Sequence, residues 1–128
     1  MEITVNIDGK EVPFKSSGAV APRYMMQFQR DLLKDMMKMG ISSIDFENAT
    51  EQELMLWARD NIDFMVFYNI AWTFAKTADP TIPEPMKWLD SFETFPIFKI
   101  MEPIQDLLAL TFSGTKEVKE VKEEEKKG

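Results

Sequence analysis

The residues able to do chemistry are few, and most of them are carboxylates. Asp31 and Asp35 stand four apart and Asp60 and Asp63 three apart, so on helices each pair shares a face. Paired carboxylates can pass a proton as general acid and base, or hold a hard cation. Against that, Asp31 and Asp35 each precede a lysine by three residues, Lys34 and Lys38, the ordinary spacing of surface ion pairs. The ion-pair reading is the stronger one. A basic stripe, Arg23, Arg30, Lys34 and Lys38 with Gln27 between, could meet an acidic partner helix or a phosphate backbone, but it also suits the solvated side of an amphipathic helix. The five glycines are scattered and form no phosphate-cradling loop.

What the composition lacks narrows the chemistry further. The 128 residues contain no cysteine and no histidine. There is therefore no disulfide framework, thiolate zinc site, Cys nucleophile or imidazole base, and most hydrolytic triads and transition-metal sites are excluded. No catalytic, cofactor-binding or metal-binding residue is expected. The start, Met1-Glu2-Ile3, lacks a signal-peptide layout, and the longest uncharged apolar-rich run, Phe64 to Ala75, has 12 residues, too short to span a bilayer. The expectation is a soluble, cytoplasmic-type protein.

Net charge is −7, and all of it sits in the body. Residues 116–128 hold five Lys and five Glu, leaving 10 positive and 17 negative charges on residues 1–115. Such a body is repelled by phosphate backbones, so nucleic acid is not an expected partner. The ten methionines, several in adjacent pairs, are more informative. Methionine fills irregular core gaps, the expected fate of most of them here, and it is over-used on surfaces that accept varied apolar partners. Met25, Leu33 and Met37 exceed what one core-facing stripe needs, which points to a second apolar contact on that helix. The composition is that of an interaction protein.

The elements that must position these residues read clearly in places. Ile3 to Ile7 alternates as a strand, Asp8-Gly9 is a type I′ hairpin turn, and Lys10 to Lys15 returns. A two-residue loop pairs Ile7 with Lys10, Val5 with Val12 and Ile3 with Phe14, placing Ile3, Val5, Val12 and Phe14 on one apolar face. Pro13 faces the other way and leaves a free edge, which leaves room for self-association. Helix 22–39 follows, opened by Pro22, ended by Gly40 and striped by Tyr24, Phe28, Leu32, Met36 and Met39. A long central helix, 51–78, opens on the Thr50–Glu53 capping box, with Leu54, Trp57, Ala58 and Ile62 inward and 64–74 apolar nearly all round. A stiff loop with three prolines leads to a short helix 84–92 carrying Trp88, Leu89 and Phe92. A last helix, 96–112, is expected to kink or break at Pro103 and to end at Gly114. The fold class is thus mainly α with an N-terminal β-hairpin (hairpin 2–15), one globular domain over 1–114 and a flexible charged tail over 115–128.

Four ordered blocks carry a resemblance. They are the hairpin with its Gly turn; Pro22-Arg23-Tyr24 through Phe28, Arg30-Asp31 and Lys34-Asp35; Phe67-Tyr68-Asn69-Ile70-Ala71-Trp72 with Ala75 to Pro80 and Ile82-Pro83; and Trp88-Leu89-Asp90-Ser91-Phe92 with Phe95. In this order the chain resembles the tail assembly chaperones of long-tailed phages and prophages of Gram-positive bacteria, over most of residues 3–110. The blocks are packing and turn residues, so they carry a fold and a role and no catalytic residue. One departure is Gln29, which stands where a glycine often precedes the Arg-Asp pair.

The resemblance implies a protein that binds the long helical tape-measure protein in the host cell cytoplasm. It would keep that protein soluble until tail-tube subunits polymerise around it, and be absent from the mature virion. The tail-tube protein is a further partner to expect. A longer product made by programmed frameshift is also implied, and Lys126-Lys127-Gly128 can be encoded by an A-run followed by G. Met25, Arg30, Lys34 and Met37 are the expected partner-binding residues. The alternative is a head–tail connector or other tail component that remains in the particle. A third reading, a small enzyme working with carboxylates and Tyr24 or Tyr68, needs a polar pocket beside tyrosines that read as core.

Overall fold

The computed structural model describes residues 1–39 and 44–113. Gly40, Gly114 and the charged tail therefore lie outside the described residues. Strands β1 (Glu2–Ile7) and β2 (Lys10–Lys15) form the hairpin, followed by six helices: α1 (Val20–Phe28), α2 (Leu32–Met36), α3 (Glu51–Asn61), α4 (Phe64–Ala78), α5 (Pro85–Asp90) and α6 (Ile97–Ser113). The mainly helical fold with an N-terminal hairpin is as expected from the sequence.

The hairpin register follows from its turn. Asp8 and Gly9 both take positive φ, 55° and 80°, and the pairs are Ile7–Lys10, Val5–Val12 and Ile3–Phe14. Val5, Ile7, Val12 and Phe14 are buried on the face that meets α4. The turn is fastened from the other end of the chain. Asp8 Oδ2 accepts from the Glu93 amide at 2.9 Å, Lys99 Nζ donates to the Asn6 carbonyl at 2.7 Å, and Lys10 Nζ donates to the Ser91 carbonyl at 2.8 Å.

Two helices expected to be continuous are each divided. Helix 22–39 breaks at Gln29, which adopts a left-handed φ of 60° and closes α1 through its amide on the Met25 carbonyl. Asp31 then caps α2, accepting from the Leu33 and Lys34 amides. The apolar stripe nevertheless stays together: Tyr24, Leu32 and Met39 are buried, with Phe28 and Met36 packed against the core. Helix 51–78 breaks at Ile62. The Thr50–Glu53 capping box forms as expected, but Ile62 is extended and pairs with Met39, and the Asp63 amide donates to the Lys38 carbonyl at 2.9 Å. Asp63 then caps α4 by accepting from the Val66 amide. A carboxylate placed to cap, together with a strand-like contact across the chain, outweighs simple continuation of the helical pattern.

The opposite correction applies to the last helix. α6 runs through Pro103 as one element. The ring costs about 3 kcal/mol in a helix interior. Ile100 and Met101 before it and Ile104, Leu107 and Leu108 after it are all buried in one core, each contributing about 1.5–3 kcal/mol. Both halves are therefore held in one continuous helix, and the break allowed by the sequence does not occur. α4 is the centre of the molecule, touching β2, α1, α2, α5 and α6, and Ile70 through Ala75 are buried without interruption. The proline-rich loop after it is pinned back. Trp72 Nε1 donates to the Pro83 carbonyl at 2.9 Å, and Lys76 Nζ donates to the Pro80 and Ile82 carbonyls at 2.7 Å each.

Candidate functional site

The carboxylates separate into structural roles. Asp31 and Asp63 are helix caps. Asp60 lies on α3 and pairs with its neighbour Arg59 at 3.0 Å, so the break at Ile62 parts it from Asp63. Asp35 departs furthest from the surface pair expected of it, being only 2% exposed. The Tyr24 hydroxyl donates to its Oδ2 at 2.7 Å, and Arg30 grips both oxygens, Nε to Oδ2 at 2.6 Å and Nη2 to Oδ1 at 2.7 Å. Lys38 Nζ stands 3.7 Å from Oδ1. The Arg30 fork holds the Asp35 carboxyl below the usual carboxylate range, against the effect of burial. Burial, then the hydrogen bond to Asp35, pushes the Tyr24 hydroxyl well above the usual tyrosine range. A tyrosine kept protonated and committed to its own chain joins α1 to α2.

The four expected partner-binding residues lie on or beside these two helices. Met25 on α1 and Met37 at the end of α2 are exposed (46% and 59%), and Lys34 is exposed. Arg30 is half exposed, and its guanidinium is engaged with Asp35, so it is a joint of the fold as well as a surface cation. Around them lie Met26 and Leu33, also exposed.

Methionine is distributed against expectation. Of ten, only Met39 and Met101 are buried in the core and Met36 packs against it; Met1, Met25, Met26, Met37, Met55, Met65 and Met86 are exposed. The core is filled instead by aromatic and branched side chains, which leaves the adaptable ones outside.

Two of these outer methionines rim a cleft of about 650 Å³ between the ends of α1, α4 and α5. Phe28, Tyr68, Leu89 and Phe95 line it, Met65 and Met86 stand at its mouth, and Asn69 and Glu84 are its polar groups. The aromatics are mutually braced: Tyr68 and Phe95 lie 5.9 Å apart, and Phe95 lies 5.4 Å from Trp88. Tyr68, expected in the core, is half-buried and forms part of this wall. None of Met25, Arg30, Lys34 or Met37 lines the cleft. Sequence reasoning missed Met65, Met86 and Phe95 because a continuous helix 51–78 gives Met65 no reason to face outward. The one available signal was the all-round apolar character of 64–74.

Among the described residues no helix is long and apolar enough to cross a membrane. Comparison with protein-family models, with curated proteins and with solved structures finds no match to this chain.

Proposed function

We propose that this protein is a tail assembly chaperone that covers apolar stripes of a helical tape-measure protein in the host cytoplasm and keeps it soluble until the tail tube polymerises around it. The observation that carries the reading is the exposure of seven of ten methionines on a body of net charge −7. Unbranched thioether side chains adapt to apolar stripes of irregular shape, as a client without fixed tertiary structure presents. Burying each contributes at most about 1.5–3 kcal/mol, before the cost of immobilising both partners. A few such contacts give weak, reversible binding, which polymerising tube subunits can displace. The negative surplus keeps loaded complexes apart. The cleft between α1, α4 and α5 offers a braced aromatic wall for one turn of a client helix, with Met65 and Met86 free to adjust around it.

The test is to sequence the neighbouring genes and to co-express this protein with a very long, helix-rich product encoded there. That product should be soluble with this protein and insoluble without it, and mass spectrometry of purified particles should lack this protein. Unchanged solubility would refute the chaperone role, and stoichiometric presence in particles would establish the connector reading in its place.

A further inference from the structure

A second cavity, about 470 Å³, lies where the start of α1 meets α4, and its chemistry is unlike the rest of the surface. In a molecule of net charge −7 it is lined by two cations, Arg23 and Lys76, with the Gln27 amide beside them, and by no carboxylate. The Arg23 Nε is buried and has no acceptor among the described residues. A buried donor left without an acceptor costs about 1–3 kcal/mol, so this guanidinium edge is a vacancy in the hydrogen-bond network. Lys76 spends two of its three N–H groups on the Pro80 and Ile82 carbonyls, which fixes the ammonium and leaves one donor over. Asp79 is near enough to feel that ammonium, but it accepts from the Thr81 hydroxyl and amide and does not line the cavity. Ala19, the first residue of α1's cap, also lines the cavity, and α1 has neither a side-chain cap nor an acid in its first turn. The Ser17 hydroxyl accepts from the Ala19 amide at 3.2 Å, but no charged side chain answers the positive end of the α1 dipole.

We propose that Arg23, Gln27 and Lys76 form a binding pocket for a single carboxylate, the group by which an acidic side chain of a partner polypeptide would enter. The guanidinium edge matches the two oxygens of a carboxylate. Met26 and Trp72 wall the cavity with apolar surface suited to the alkyl stem of a glutamate side chain. A phosphate, more strongly hydrated and carrying more than one negative charge on average at pH 7, fits these walls and this net charge less well. The inference does not depend on the chaperone reading.

The test is a titration of the 15N-labelled full chain, at constant ionic strength and pH 7, with N-acetylglutamate α-amide, with its neutral glutamine isostere, and with inorganic phosphate. The Arg23 Nε–H and Trp72 indole N–H resonances should move saturably with the glutamate compound, with half-saturation on the order of millimolar. The glutamine compound should bind at least about tenfold more weakly, since a charge-assisted bond is lost. Arg23→Gln should abolish the response, as should Met26→Glu, which places a competing carboxylate in the pocket wall at an exposed position. Equal responses to the glutamate and glutamine compounds, or a wild-type response in both variants, would overturn the assignment. Tighter binding of phosphate would replace the carboxylate pocket with one for an inorganic anion.

Discussion

At Asp35 one carboxylate accepts from Tyr24 and from both arms of the Arg30 fork while almost wholly withdrawn from water. Asp35→Ala leaves the buried Tyr24 hydroxyl without an acceptor, and urea denaturation should register a loss of about 2–3 kcal/mol. The same site makes stability depend on pH. Its carboxyl is held below the range of the unfolded chain, so its contribution is complete above about pH 4 and drains away as pH falls through the folded value. Asp35→Asn should be less stable at pH 7 and should lose less than the wild type on acidification, seen as a flatter plot of urea midpoint against pH. Tyr24 works from the other side: its raised value adds stability below about pH 10 that disappears as alkali ionises it. In a Tyr68→Phe background, tyrosinate absorbance should therefore appear only together with alkaline unfolding; ionisation of the folded protein would contradict the triad. The triad also decides which surface variants are informative. Reversing Arg30 damages the fold, whereas Lys34 and Met37 can be changed without touching it.

At the scale of elements, each of the two unexpected breaks carries a local feature that substitution can address. Gln29 holds a left-handed conformation that glycine adopts without penalty. Gln29→Gly should stabilise by about 0.5–1 kcal/mol in thermal unfolding, despite losing the bond from its side chain to the Met26 carbonyl. A loss of stability would mean that the strain is relieved elsewhere. Asp63→Ala should cost about 1 kcal/mol by uncapping α4. These two sites also mark the boundary of what the sequence reveals. The hairpin register was legible because alternation and an Asp-Gly turn act over neighbouring residues. The capping box at Thr50 was legible for the same reason. The breaks were not: the stripe Tyr24, Phe28, Leu32 keeps its period across the interruption at Gln29, and the interruption at Ile62 comes with a long-range pairing to Met39. Pro103 illustrates the converse: a local breaker was read correctly as a cost, but the burial that overrides it belongs to the tertiary structure. The exposure of Met25 and Met37 could be anticipated from surplus apolar positions, while the cleft could not, since its walls come from α1, α4, α5 and Phe95, far apart in sequence.

At the scale of the whole molecule, the core is built from aromatic and branched residues, and the flexible apolar side chains are displayed outside under a net negative charge. Under the proposed function, that division separates stability from binding. Met25→Glu with Met37→Glu, and Met65→Glu with Met86→Glu, should each leave the unfolding free energy from urea denaturation within about 0.5 kcal/mol of wild type, because exposed positions carry little folding energy. The same changes should weaken the grip on an apolar helical client. The measurement that tests this most directly is the soluble fraction of the co-expressed tape-measure protein with wild type and with the Met65→Glu, Met86→Glu variant, each confirmed folded. The account predicts a soluble client with wild type and a several-fold smaller soluble fraction with the variant. Equal solubility with both would contradict the claim that the cleft and its methionine rim hold the client.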